Sequence, residues 1–390
     1  MGRAGGAHDL GLRTAGIPRG LAVRYPRPPR PPCQWRTATL PALEPFRHRA
    51  DPLADAAVAG LPRQPQAAPL LQRVRAAAQR GDPACCRFLE ATWQVPPWFD
   101  PARIEPGRRA AMRQAPVTFL VLLTASLLES FALPEPARLL VATGRLRHDP
   151  LPRLHETASM LRDVLLPGGL QPGQPGHLAL VQVRLLHARV RSAVRQGPTV
   201  PINQLELLHT LLCFSRVMAR GLTDLGVHLT DAERDGWCQL WRRAGDLLGV
   251  DPALLPATVD EETQRYREVR NRYAPDRNAQ ELTASVLHAA ARQPPFHLPA
   301  RALAAISRRL LGDRLADAFA LPKSQQGQAF AAGLAGVTRT IDCALRRLPG
   351  GKVLALAGGH AFLEGHRWRV QRRDGVADFR MRVVVGQGGG

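Results

Sequence analysis

The stretch "ALVQVRLLHARVR" (179–191) places His187 between Arg184 and Arg191, about one helical turn away on either side. At that spacing the three side chains stand on nearly one face of a helix. Val183 and Val190 flank the imidazole, and Leu180 and Val194 extend the face. A neutral imidazole is a common axial ligand of haem iron. Guanidinium groups match the two propionates that a haem carries. One helix could supply both, although a structural histidine beneath a solvated arginine stripe has the same spacing. A second constellation lies upstream in "PRLHETASML" (152–161). Arg153 and Thr157 share a face, with Glu156 adjacent. Buried in an apolar helix, a cation, a carboxylate and a hydroxyl need partners. Exposed, they form an Arg–Glu pair beside a threonine bonded back to its own helix.

The elements that must carry these residues are helical. From residue 115 onward ten helix-period patterns succeed one another. "VTFLVLLTASLLESFAL" is apolar nearly all round and reads as buried. Its charge-free part, 115–128, falls short of the ~20 residues a bilayer requires. "EPARLLVATG" stops at Gly144, and Thr230 with Glu233 writes a capping box ahead of "DGWCQLWRRAGDLLG". Strand-like alternation is confined to "KVLALAGG" and "MRVVVG" near the C-terminus. The expectation is an all-α protein with a helical core of roughly ten helices. It divides into a disordered Pro/Arg-rich segment (1–45), a helical domain (46–348) and a basic C-terminal tail (349–390).

The chain carries a net charge of +21, yet only Lys323 and Lys352 of its 53 basic residues are lysines. The excess sits at the ends: nine arginines against Asp9 and Glu44 in 1–50, and fifteen basic against six acidic residues in 301–390. No aromatic-rich basic motif accompanies it, so nucleic-acid binding is not expected. The basic tail would permit contact with a membrane, but nothing else in the sequence supports one. Six cysteines form no CxxC pair and no zinc pattern, and Cys213 and Cys238 read as small core hydrophobes. No signal-peptide pattern opens the chain, and a cytoplasmic location is expected. "LPGGKVLALAGGH" lacks the first glycine of a phosphate loop, since residue 346 is Arg. His360 and His366 read as solvated tail residues and His228 as structural. His209 reads the same way, with a distal role as its alternative. Trp237 and Trp241 read as core.

In their order, "DPLADAAVAGL", "VPPWFDPARIEPGRR", "ATGRL", "RLHETASML", "VRLLHARVR", "NQLELLHTLLCFSRVMARGLTDLGVHLT" and "LWRRAGDLLGVDPALLPAT" resemble the family of latex-clearing rubber oxygenases and MpaB-type oxygenases. The resemblance covers roughly residues 50–290. It implies a globin-like helical core holding one haem b, and use of O₂ to cleave carbon–carbon double bonds. His187 then corresponds to the proximal ligand, with Arg184 and Arg191 on the arginines that flank it. Arg153 and Thr157 fall on distal positions. Where rubber oxygenases place a lysine beside the distal threonine, this chain has Glu156, which points away from polyisoprene and toward a smaller lipophilic, isoprenoid-like alkene. Glu156 is the first candidate for a general base and Glu135 the second, with a raised pKa expected in an apolar setting. The alternatives are a non-catalytic haem sensor or oxygen carrier on the same fold, and a helical interaction protein without cofactor.

Overall fold

Proline and aspartate set where many of the helices begin. Pro52, Pro83 and Pro101 each open a helix, where the missing N–H costs nothing, and the preceding Asp51, Asp82 and Asp100 accept hydrogen bonds from the first-turn amides. The computed structural model describes residues 41–374, apart from 63–67, 145, 147–148 and 195–198. Within them lie a 3₁₀ turn, Glu44–His48, and sixteen helices. The first eight are α1 (Pro52–Ala59), α2 (Leu70–Gln79), α3 (Pro83–Trp93), α4 (Pro101–Arg113), α5 (Ala115–Ser130), α6 (Pro134–Thr143), α7 (Pro150–Leu165) and α8 (Pro175–Ala193). The second eight are α9 (204–224), α10 (Asp231–Leu247), α11 (Val259–Arg270), α12 (Arg277–Ala290), α13 (Ala300–Leu311), α14 (Asp313–Ala318), α15 (Gln325–Arg347) and α16 (Gly351–Asp374). No strand occurs among the described residues. The all-α expectation holds, with more helices than the ten read from periodicity.

The ten patterns correspond to α5–α13 and α15. The six helices beyond them had weaker signals. In α4, Pro106 and Gly107 interrupt the pattern, yet the helix continues through both. Gly107 is needed for contact: a Cβ there would lie 2.1 Å from the Trp237 amide nitrogen, and a Cβ on Gly236 of α10 would lie 2.7 Å from the Gly107 nitrogen. The two backbones cross at a pair of glycines.

The C-terminal expectation is corrected. "KVLALAGG" is not strand-like, and 351–374 is not a solvated tail; it is helix α16, laid along α4, α5, α7 and α15. Its buried face is Gly351, Ala355, Gly359, Leu363 and His366. Glycine and alanine supply most of that face, so no apolar stripe marks it in the sequence. A Cβ on Gly359 would lie 1.8 Å from the Met112 carbonyl oxygen, so close backbone approach, not side-chain bulk, docks the helix. Residues 1–40 and "MRVVVG" lie outside the described residues, while 41–48 already carry structure, with Leu43 and Phe46 buried.

α5 is buried almost throughout, as its composition implies. It widens into a π turn at Leu122–Ser126, and α9 does the same at Cys213–Val217, where the two helices pack together. Trp237 and Trp241 pack in the core with ring centroids 5.8 Å apart. Among the described residues no single helix is long and apolar enough to cross a membrane. α4 and α5 pass that test only together, bent by 89°.

Candidate functional site

α8 runs through the interior, and its leucines and valines are buried nearly all round. A polar side chain on such a helix must find a partner. Gln182 accepts from the Leu71 amide at 2.8 Å. Arg189 donates to the Leu61 carbonyl at 3.1 Å. Arg184 gives both arms of its guanidinium to Asp51, at 2.6 and 2.9 Å. Arg191 donates to Asp55 at 2.9 Å and to the Ile202 carbonyl at 3.0 Å. His187 is the exception. It makes no hydrogen bond among the described residues, and its Nδ1 is buried without a partner.

The electrostatics keep that imidazole neutral. Burial, then the charges of Arg191 and Arg153, push the His187 pKa down to about 3, against a smaller opposing pull from Asp51. Neutral imidazole is the form a metal takes. Among the described residues no three His, Cys, Asp or Glu side chains gather where a bare ion could be held. A single unpartnered imidazole therefore suits a metal that brings its own equatorial ligands, as a porphyrin does, and the donor set fits a haem.

Arg184 and Arg191 fit the expected propionate role less well. Both are already committed to the carboxylates of α1 and clamp that helix onto α8. Gly249 completes the clamp: its φ of +79° and the absence of a Cβ leave room for Arg184 Nε and Asp51 Oδ2, each of which a Cβ would meet at 2.4 Å. Gln204 then ties the strip together by donating to the Ala50 and Gly249 carbonyls. The motifs "DPLAD", "VRLLHARVR" and "LLGVD" are thus parts of one lock around the helix that presents His187.

α7 packs on α8 and brings Arg153 within electrostatic reach of His187. Arg153 also donates to Glu156 at 3.1 Å, and Thr157 donates back to the Arg153 carbonyl at 3.0 Å. The expected trio is therefore assembled. The apolar setting expected of a base is absent, however, because a guanidinium faces the Glu156 carboxylate. Glu135, half-buried in the first turn of α6, lies 3.8 Å from Arg47, and no contact joins it to the α7 trio among the described residues.

One residue the sequence reading passed over is Glu206. It is buried at the start of α9, where Asn203 and Glu206 form a reciprocal cap. Burial, assisted by Glu135, pushes its pKa up to about 7 against the capping hydrogen bonds. The cap signature "NQLE" made it look purely structural. His209 is structural as expected, with Nε2 on the Glu129 carbonyl at 3.0 Å. Burial pushes the Cys213 and Cys238 thiols well above their ordinary range, so both pack as inert hydrophobes.

Three comparisons bear on this geometry. A family model described as "ER-bound oxygenase mpaB/B'/Rubber oxygenase, catalytic domain" matches residues 109–340, from α4 to α15. The rubber oxygenase of Streptomyces sp. (strain K30) is 23% identical over 245 residues, which is 60% of this chain and 60% of that protein's length. A solved structure of the latex clearing protein in the closed state superposes with a TM-score of 0.58 at 21% identity, covering 80% of this chain and 94% of the other. That likeness is one of fold.

Proposed function

We infer that this chain, which belongs to the family of mpaB and rubber oxygenase catalytic domains, is a haem b-dependent oxygenase that cleaves a carbon–carbon double bond of a lipophilic, isoprenoid-like alkene with O₂. Family membership supports the oxygenase class. The observation that carries the haem reading is His187, whose Nδ1 is buried and which alone among the polar side chains of α8 has no hydrogen-bond partner among the described residues.

When bound, haem b supplies the redox centre for O₂. The chain's own residues do the rest. His187 offers a neutral imidazole from a helix whose position is fixed by the Arg184–Asp51 and Arg191–Asp55 pairs. Arg153 holds the Glu156 carboxylate in place, and Glu156 accepts an allylic proton from the substrate. Thr157, with its proton committed to the Arg153 carbonyl, keeps its oxygen lone pairs for an incoming donor.

The test is an absorption spectrum of the purified protein with haemin. A Soret band is expected, and His187→Ala should lose it while keeping the helical circular dichroism. Full haem uptake by His187→Ala would overturn the ligand assignment. Glu156→Gln should keep the band and slow product formation from an isoprenoid alkene under O₂. Unchanged turnover moves the proton to Glu135 or Glu206, each tested by its own Gln variant.

A further inference from the structure

α7 has two working faces. Arg153, Glu156 and Thr157 lie on one. Leu151, Leu154, His155 and Ala158, at helical spacing, lie on the other and line a cleft of about 80 Å³. The far wall of the cleft comes from Phe119, Leu122, Leu123 and Leu127 of α5, set on one side by the π turn. Its lid is α16, through Phe362 and His366. α16 lies beyond the family match, so the cleft is closed by a part of the chain that the shared domain does not include.

The lining is not wholly apolar, for His155, Gln293 and His366 join it. His366 is only 9% exposed, and its Nε2 is buried with no hydrogen-bond partner. Its ring stands edge-on to His155 at 5.8 Å and tilted to Phe119 at 6.1 Å. Burial, then His155, Arg369 and Arg162, push its pKa down to about 4, so it is neutral near pH 7. Arg162 is balanced by Asp163, whereas the Arg369 side chain donates to the neutral Gly365 carbonyl. One end of a largely apolar cleft therefore carries an unpartnered imidazole under a net positive field. A buried polar atom without a partner is costly unless something fills the place.

We propose that this cleft binds an apolar monocarboxylic acid, its chain among Phe119, Leu123, Leu154 and Phe362 and its carboxylate against His366. The positive field selects an anion over an alcohol. The walls demand a hydrocarbon body. The volume is about half the roughly 150 Å³ that admits benzene in an engineered apolar cavity, but the cleft is open on one side, so a slim chain can lie along it with part of its length outside, whereas a ring system is too broad to enter. The site is separate from His187 and needs no haem.

Titration calorimetry of hexanoate into the full chain at pH 7 tests the proposal, with hexanol as the uncharged control. Saturable one-to-one binding of hexanoate is expected, at least tenfold tighter than hexanol. His366→Phe keeps the ring volume and should weaken hexanoate about tenfold. Arg369→Gln, one turn from His366, half-buried and outside the cleft lining, should also weaken it. Ala158→Phe should abolish binding by filling the cleft, with the Soret band unchanged. No saturable heat, hexanol binding as tightly as hexanoate, or wild-type hexanoate affinity in folded Ala158→Phe would each overturn the proposal. Loss of the Soret band in His187→Ala leaves it untouched, so its failure and that of the oxygenase reading are distinct.

Discussion

Asp51→Ala probes the lock that holds α8. Asp51 is 3% exposed and does two things: it caps α1 by accepting from the Ala54 amide at 3.2 Å, and it takes both arms of Arg184. Losing the cap costs about 1 kcal/mol. Leaving the Arg184 guanidinium, whose side chain is 12% exposed, without its carboxylate costs roughly 3–5 kcal/mol. The two losses share one side chain and do not simply add, and the contact of Arg184 with the Phe88 ring survives, so the expected total is about 4 kcal/mol. Asp51→Asn keeps the cap oxygen and one acceptor and should cost about half as much. Urea denaturation followed by far-ultraviolet circular dichroism reads both. In a cycle with Arg184→Leu, the double variant should lose at least ~1.5 kcal/mol less than the two singles summed. A loss under ~1 kcal/mol in Asp51→Ala, or additivity in the cycle, would refute the lock.

Three further outcomes follow from the same structure. Gly249→Ala combines the ~1–2 kcal/mol cost of a left-handed backbone with a Cβ 2.4 Å from both members of the Arg184–Asp51 pair; urea denaturation should show a loss above ~2 kcal/mol. Burial pushes the Glu262 carboxyl up to about 7, against its bond from Ser215. The folded chain thus keeps a proton that the unfolded chain releases near pH 4.5, and stability falls as pH rises through 4.5 to 7. Glu262→Gln should therefore match wild type at pH 4 and exceed it by up to ~3 kcal/mol at pH 8; an equal difference at both pH values would dismiss the buried acid. Gly359→Val should lift α16 from the Met112 carbonyl, and limited proteolysis should then cut within 351–374 faster than in wild type while 109–340 stays intact.

The order and class of most helices were legible from residue 115 onward because their buried faces are built largely of leucine and valine, whose spacing shows the period. Where helices meet through glycine and alanine, as at Gly107 with Gly236 and at Gly359, the signal is an absence of side chain, which a hydropathy pattern does not record. The site divides the same way. His187 and the Arg153, Glu156 and Thr157 trio were readable as local spacing, and the structure brings Arg153 within electrostatic reach of His187. Glu206 was hidden by its cap, and His366 by the flat composition of α16.

The assignment of Arg184 and Arg191 shows why. A guanidinium at a given helical spacing can face a cofactor, water or a carboxylate from elsewhere in the chain, and the spacing is the same in all three. Asp51 and Asp55 lie well over a hundred residues away in sequence, so only the packing of α1 on α8 revealed the partners. What the sequence alone determined was the helical class, the helix that carries the imidazole and the residue types available on each face. Tertiary packing decided which of those polar groups were used up in holding the fold together. It left His187 and His366 with buried nitrogens that no described residue satisfies, because satisfaction of a buried polar atom depends on distant segments meeting, and local spacing contains no record of that meeting.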